Sequence, residues 1–351
     1  MIDIDASIGE GGGQVLRVCL ALSALTRKSV TIKNIRVNRT NPGLRSQHLS
    51  AVRAVAAVTA AKVSGLAIGS SEITFCPGPT HGGTFHFDAK TAASTTLILQ
   101  ALLPVLAFAD QRSSVTLIGG TNNPLAPQAD YMINVLTPVL ASMGFLYEVR
   151  LVKRGYYPRG GGLIHVFTEP VDVLHPINIV NTGSPRGIKG ISHSRNLPAH
   201  VVERQADAAK QSCSREGYQD TSIVRDVGQR GKSPSTGSGV VLWAETSAGG
   251  RLAGDALGAR GKPAEQVGEE AAAGLLGQFS TGAPLDTHLG DQLIVWLALA
   301  KGRSRIKTTK LTLHAVTAMK VTETLTGCQF TTRGEIGTPG TIQCLGGITL
   351  W

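Results

Sequence analysis

Three arginines, a histidine and a Pro-Gly turn crowd into one short segment, Arg36-Val37-Asn38-Arg39-Thr40-Asn41-Pro42-Gly43-Leu44-Arg45-Ser46-Gln47-His48, between a strand pattern and a helix pattern. Clustered guanidiniums suit bidentate recognition of phosphate. A solvated surface loop could have the same composition, but loops held between rigid elements are where binding residues collect. A second segment, Gly9-Glu10-Gly11-Gly12-Gly13-Gln14, links a strand to a helix. Its glycines let backbone N–H groups approach an anion at the helix N-terminus. It has neither the Lys-Ser/Thr of a P-loop nor the glycine spacing of a dinucleotide fold. Glu10 repels a phosphate there unless a cation lies between, so a Mg²⁺ (or Mn²⁺) bridge and a plain helix-capping acid both stay open. The third feature is His314, with Asp291-Gln292 in the helix pattern before it. A lone histidine is more often structural. Here no GxSxG serine competes as nucleophile, and an imidazole nitrogen can attack phosphorus and later leave.

These residues fall at matching points of a unit that recurs three times: an apolar helix pattern, then a short β-rich run, then a polar segment. The helices run from Gly13 through Leu25, Leu97 through Phe108 and Asp291 through Ala300; the strands are Val30-Thr31-Ile32, Val115-Thr116-Leu117-Ile118 and Leu311-Thr312-Leu313. Alternation marks the strands and 3.6-residue spacing the helices. The polar ends are Arg36 and Arg39, Gly119-Gly120-Thr121-Asn122-Asn123, and His314, which is expected to end a strand. Each unit is expected to add a second helix (Gln47 to Ala61, Pro127 to Met143, Thr317 to Leu325) and two further strands, and the third to include a helix from Glu265 to Phe279. Such repeats bury their apolar faces against one another. The fold class is therefore expected to be α/β (α+β), with three two-helix-plus-sheet units in residues 1–172 and 263–351. A smaller α/β domain, residues 173–262, is expected to interrupt them. It contains a Gly/Ser/Pro-rich stretch, Gly228 to Ser238, that reads as a mobile loop. Arg154 through Gly162 joins two strand patterns and reads as a structural hairpin turn.

Composition narrows the partners. With 351 residues there is enough chain for a large core and two domains. A 42% hydrophobic, 17% charged chain is globular rather than disordered. The net charge of +10 favours polyanions, while 5% aromatic residues argue against base stacking as the main mode of nucleic-acid binding. Five cysteines without a CxxC pair exclude a zinc ribbon. The N-terminus lacks the pattern of a signal peptide, and no apolar run spans a bilayer. The expectation is a soluble, intracellular protein of cytoplasm or nucleoplasm that uses no membrane.

At this point the residues resemble a known family, the RNA 3′-terminal phosphate cyclases. The likeness covers nearly the whole chain. Arg154-Gly155-Tyr156-Tyr157-Pro158-Arg159-Gly160-Gly161-Gly162 is similar to the family signature. In order, Glu10 to Gln14, Arg39 through Pro42-Gly43-Leu44 to Gln47-His48-Leu49, Gly119-Gly120-Thr121-Asn122, Ala126-Pro127, Asp291-Gln292-Leu293 and Leu313-His314 also match. Several stretches look closer to the eukaryotic and archaeal branch.

The resemblance implies three steps. His314 attacks the α-phosphorus of ATP and becomes AMP-histidine, AMP passes to an RNA 3′-phosphate, and the neighbouring 2′-hydroxyl closes a 2′,3′-cyclic phosphate. It further implies that Gln100, Pro127, His288, Asp291 and Gln292 line the nucleotide site, that Glu10 holds the metal, and that Arg17, Arg36, Arg39, Gln47 and His48 receive the RNA end. His288 stands where the family usually has tyrosine, and Leu252 where relatives carry an aromatic against the base. The implied fold is three units resembling the C-terminal domain of translation initiation factor 3, with a homodimer possible. The main rival is a non-catalytic relative in ribosome assembly, which would lack the nucleophilic histidine.

Overall fold

The protein is seen here as a computed structural model that describes residues 1–9, 11–228, 231 and 233–348. It is a mixed α/β fold with four four-stranded sheets. The first comprises β1 (Ile2–Asp5), β2 (Val30–Lys33), β3 (Lys62–Ser64) and β4 (Ile73–Cys76) in the order β1-β2-β4-β3. The β1–β2 pair is parallel and the other pairs are antiparallel. A parallel pair needs a crossover, supplied by α1 (Gly13–Thr26), and α2 (Ser46–Val58) follows β2. The second sheet repeats the plan as β5-β6-β8-β7, from β5 (Gly83–Asp88), β6 (Ser113–Gly119), β7 (Tyr147–Lys153) and β8 (Gly162–Thr168). Its crossover is α3 (Thr95–Ala107). Then α4 (Ala129–Tyr131), a π-helical turn (Met132–Leu136) and α5 (Thr137–Ser142) run on end to end. Pro138 in that run has no N–H to give the Asn134 carbonyl, and the carbonyl accepts from Arg251 Nη1 instead, at 3.2 Å.

The third sheet differs from the sequence expectation. Its order is β9-β14-β16-β15, from β9 (Asn178–Ile179), β14 (Arg303–Thr308), β15 (Phe330–Arg333) and β16 (Gly340–Leu345). The strand is Arg303–Thr308, not Leu311-Thr312-Leu313, because Ser304, Ile306 and Thr308 alternate inward and are wholly buried. His314 therefore does not end a strand. It lies in the first turn of a helix, Leu313–Thr326, capped by Thr312, whose Oγ1 accepts from the Ala315 N–H at 2.9 Å.

Between β9 and the third crossover helix, Thr287–Leu299, the chain builds the fourth sheet, β11-β10-β12-β13, from β10 (Ile188–Arg195), β11 (Thr221–Val227), β12 (Gly237–Glu245) and β13 (Arg251–Leu257). Helices α6 (Ala199–Arg215) and α7 (Ala264–Phe279) pack on it, and the next two helices are α8 (Thr287–Leu299) and α9 (Leu313–Thr326). The sequence reading put α7 in the third unit. In the structure Val267, Ala271, Ala272 and Leu275 of α7 share a separate core with Ala209, Cys213, Val240, Leu242 and Leu252. An apolar helix pattern does not say which sheet it covers. The Gly228-to-Ser238 stretch lies partly outside the described residues; its described part is tied down, with Tyr156 N–H donating to Ser235 Oγ at 2.9 Å and Asn196 Nδ2 to the Ser233 carbonyl at 2.8 Å.

The main core explains where the site must be. Helices α1, α3 and α8 are apolar nearly all round and buried almost throughout, so they must sit centrally. Helix α1 packs on α2, α3 and α9, and α8 on α3 and α9. Polar side chains can then surface only at helix ends.

Candidate active site

The first turns of α1, α2 and α9 meet. Gly13 opens α1 against His48 of α2: a Cβ built on Gly13 would fall 2.3 Å from His48 Nε2 and 3.2 Å from Arg17 Nη1. On the other side, Gln14 Nε2 donates to the His314 carbonyl of α9 at 3.1 Å. Each helix start carries partial positive charge and N–H groups without intrahelical partners, so the meeting point favours an anion. Arg39 lines the same loop, its Nη2 3.4 Å from where a Gly12 Cβ would stand.

His48 is fixed as a neutral ring. Its Nδ1 accepts from the Arg45 N–H at 3.1 Å, which leaves the proton on Nε2, the atom facing Gly13. Burial, then the charges of Arg17, Arg36 and Arg45, lower it to about 3. Arg17 has its Nε on Gln100 Oε1 of α3 at 3.1 Å, and burial lowers its guanidinium to about 10, still charged at neutral pH. Burial, then the like charges of Arg45 and Arg39, lower Arg36 too. Among the described residues no carboxylate pairs with Arg17 or Arg36.

Gln47 fastens α2 to α3, its Nε2 donating to the Ser94 carbonyl at 3.1 Å and its Oε1 accepting from the Ser94 N–H. Arg36 turns inward on its own loop, Nη1 donating to the carbonyls of Asn41 at 2.6 Å and Gly43 at 3.1 Å. It braces the loop that carries Arg39.

The residues expected at the nucleotide reach this centre through α8. His288, Asp291 and Gln292 lie at i, i+3 and i+4 on one helical face. Asp291 Oδ1 accepts from Thr312 Oγ1, the cap of the His314 helix. Gln292 Nε2 donates to the His288 carbonyl at 3.2 Å, and its buried Oε1 has no partner among the described residues. His288 is exposed, edge-on to Tyr131 with centroids 6.3 Å apart. Pro127 accepts from Thr96 Oγ1 at 2.8 Å through its carbonyl. Leu252 is wholly buried in the second core, so the expectation that it stands against a base is corrected: it faces the inside of its sheet. Glu10 lies outside the described residues, and no group of three His, Cys, Asp or Glu able to hold a metal occurs among the described ones.

Sequence reasoning missed three supports. Thr312 couples Asp291 to the His314 helix, and a Thr just before an apolar periodic run was the available signal. Gln14 ties α1 to α9. The third is a buried network behind Pro127, around the hairpin read as merely structural. Arg154 grips Asp130 with both terminal nitrogens, one at 2.9 Å, and Asp226 through Nε at 2.8 Å. His193 bonds Tyr156 Oη at 2.8 Å and Gln128 Oε1 at 2.9 Å. Gln128 Nε2 in turn donates to Asp255 at 2.8 Å. Burial, then Arg154 and Arg195, keep His193 neutral well below its usual range. Tyr131, next along, donates to Asp286 at 2.7 Å, and Asp286 caps α8 by accepting from the Leu289 N–H at 2.8 Å.

The arrangement defines a class: an enzyme with a histidine at a helix N-terminus beside arginines suited to phosphate. Comparison with known proteins makes this particular. The family model for RNA 3′-terminal phosphate cyclase matches residues 8–332. The chain is 46% identical over 346 residues to the RNA 3′-terminal phosphate cyclase of Methanothermobacter thermautotrophicus, covering 98% of this chain and all of that one. It is 44% identical over 345 residues to that of Methanopyrus kandleri and 45% over 343 to that of Pyrococcus furiosus, covering 98% of both chains each time. The chain belongs to the RNA 3′-terminal phosphate cyclase family and is a ligase-type enzyme. No described helix is long and apolar enough to cross a membrane. The homodimer finds no support in the relatives or the fold.

Proposed function

We propose that the protein uses ATP to convert an RNA 3′-phosphate end into a 2′,3′-cyclic phosphate, with His314 as nucleophile. What supports it above all is the meeting of three helix N-termini, which carry His314, Arg17 and His48, with Arg39 in the loop beside them. A ring nitrogen of His314 attacks the α-phosphorus of ATP; the bond to the β-phosphate oxygen breaks and pyrophosphate leaves. An oxygen of the RNA 3′-phosphate then attacks the same phosphorus, the N–P bond breaks, and the end becomes RNA-(3′)pp(5′)A. Last, the 2′-oxygen attacks the 3′-phosphorus and AMP departs, taking the bridging oxygen. A phosphate monoester has no good leaving group until AMP is attached, and the held 2′-hydroxyl gains from proximity.

Each expected residue has a job in this scheme. Arg17, Arg39, Gln47 and His48 receive the terminal phosphate, and Arg36 holds Arg39's loop. His48 offers its Nε2–H as a neutral donor. Asp291 and Gln292, with Pro127, Gln100 and His288, receive the nucleotide; the partnerless Gln292 Oε1 is an acceptor that an amino group of the base would satisfy, removing a cost of about 1–3 kcal/mol. Following the family resemblance, Glu10 would hold a Mg²⁺ (or Mn²⁺) ion with the nucleotide phosphates, where it would neutralise phosphate charge. We also assign the three sheets of like order to repeats resembling the C-terminal domain of translation initiation factor 3. The fourth sheet is an inserted domain of residues 173–262, lengthened to Phe279 by the packing of α7.

Incubation with α-labelled ATP and Mg²⁺ should give an acid-labile, base-stable protein–AMP adduct, discharged by RNA ending in a 3′-phosphate. His314→Ala should form none. An adduct in His314→Ala would refute the nucleophile assignment, and native protein that forms no adduct would favour the non-catalytic rival.

A further inference from the structure

The outward face of the third sheet is built unlike the other two. On the first two sheets and their edges, most exposed cations pair with carboxylates beside them: Lys33 with Asp3 at 2.7 Å, Lys90 with Asp88 at 2.8 Å, Arg112 with Glu169 at 3.0 Å and Arg150 with Glu148 at 2.6 Å, while Lys62 and Lys153 belong to no ion pair among the described residues. On the third, Ser304, Ile306, Ile342 and Cys344 point into the core, so their alternates point out. The register sets Arg333, Thr341 and Lys307 in one row, Thr331, Gln343, Arg305 and Asn178 in the next, and Leu345 and Arg303 in the last. The four strands contain no Asp or Glu. Arg303, Arg305 and Arg333 are exposed and belong to no ion pair among the described residues. Among the described residues Lys307 Nζ donates only to the Gly282 carbonyl, at 3.2 Å.

The direction of this face matters as much as its charge. The row with Lys307 and Arg333 is at the end from which the chain runs through Thr309–Thr312 into the first turn of α9, where His314 lies. From there Arg305 and Arg303 continue away along one strand at intervals of about 6.7 Å. Unpaired cations on a face that is polar apart from Leu345, without aromatic residues among the outward positions, suit a backbone of phosphates and not stacked bases.

We infer that this sheet face is the track for the RNA strand upstream of its 3′-phosphate, gripping the backbone without reading sequence. The inference rests on RNA being the substrate, as proposed above. The test is a triple variant, Arg303→Gln, Arg305→Gln and Arg333→Gln, compared with native protein. Binding is measured by fluorescence anisotropy across a salt series with 3′-phosphorylated RNAs of two nucleotides and of about twenty. Three lost phosphate contacts should flatten the salt slope for the long RNA by about 2, at roughly 0.7 per contact on a single strand. Affinity for the long RNA should fall at least tenfold, while dinucleotide binding and labelling by ATP stay unchanged. An unchanged salt slope would overturn the track. So would equal losses for both RNAs, which would put the arginines at the terminus, or a change in oligomeric state on gel filtration, which would make the face a contact between copies. If native protein cyclises no RNA, the functional proposal fails; the difference in salt slope still judges the surface by itself.

Discussion

Gly13→Ala should separate catalysis from folding. The φ of Gly13 lies outside the left-handed range and the residue opens α1, so alanine fits the backbone and adds about 0.5–1 kcal/mol of helix preference. The new methyl would sit 2.3 Å from His48 Nε2 and 2.9 Å from its Cδ2, where ordinary contact begins at 3.4 Å. The ring must therefore retreat about 1 Å. It is buried and held by the Arg45 N–H through Nδ1, so the start of α2 moves with it or that bond is lost. Overpacking of this kind costs about 1–3 kcal/mol, partly offset by the helix gain, and the melting temperature should shift by only a few degrees. Arg17 Nη1, 3.2 Å from the methyl, is displaced as well. A misplacement of this size at a positioning group costs on the order of 10²-fold in rate. The assay pairs thermal melting with cyclisation of a 3′-phosphorylated RNA and, separately, labelling by ATP. Cyclisation should drop far more than labelling, because His48 and Arg17 are assigned to the RNA end. Near-native cyclisation would refute this packing of α1 against α2, and so would equal loss of both reactions.

Two further expectations concern buried charge. His48 titrates at about 3 when folded against 6.5 unfolded, so below pH 6.5 the unfolded chain takes up a proton that the native ring refuses, and stability falls as pH falls toward 3. At about 1.4 kcal/mol per pH unit, native protein should lose about 2 kcal/mol more than His48→Asn between pH 7 and pH 5 in urea unfolding; parallel curves would show a ring that is not buried as described. Arg154→Met should destabilise by about 3–5 kcal/mol, because it strands the Asp130 carboxylate in the interior. Adding Asp130→Leu should restore much of that loss, and a single-variant cost below about 1 kcal/mol would count against the network.

What could be read from the sequence was whatever depended on local periodicity. The central helices were legible because Gly13–Thr26, Thr95–Ala107 and Thr287–Leu299 are apolar on nearly every side. The arginine loop and the glycine turn suggest anion chemistry from residue type alone, and that reading belongs to the proposed function. Failures came where two short-range signals compete. Leu311-Thr312-Leu313 alternates like a strand, but Thr312 is a helix cap, and capping won because the strand positions had already been filled by Arg303–Thr308. Leu252 and α7 were misplaced for another reason: an apolar pattern shows that a face is buried, not what buries it. The Arg154 network was out of reach altogether, since Asp130, His193 and Asp226 are far apart in sequence and meet only when the fourth sheet docks on the second unit.

The assembly of the site follows from the sheet plan. In a parallel β-α-β crossover the helix starts beyond the C-terminal end of its first strand, and the following helix starts beyond the second. Helices α1 and α2 therefore open on the same side of the first sheet, and α9 opens beyond β14 in the same way. Packing α1 against both α2 and α9 brings these starts together without any loop having to reach. The Gln14–His314 and Gly13–His48 contacts each cross from one helix start to another, and Arg17–Gln100 crosses from the first unit to the second. No single sheet with its own helices holds both His314 and the arginines, so the proposed chemistry depends on the apolar packing of the central helices more than on any single loop. It follows that cavity-forming changes deep in α1, such as Leu20→Ala at a wholly buried position, reach the site through the relative placement of helix ends.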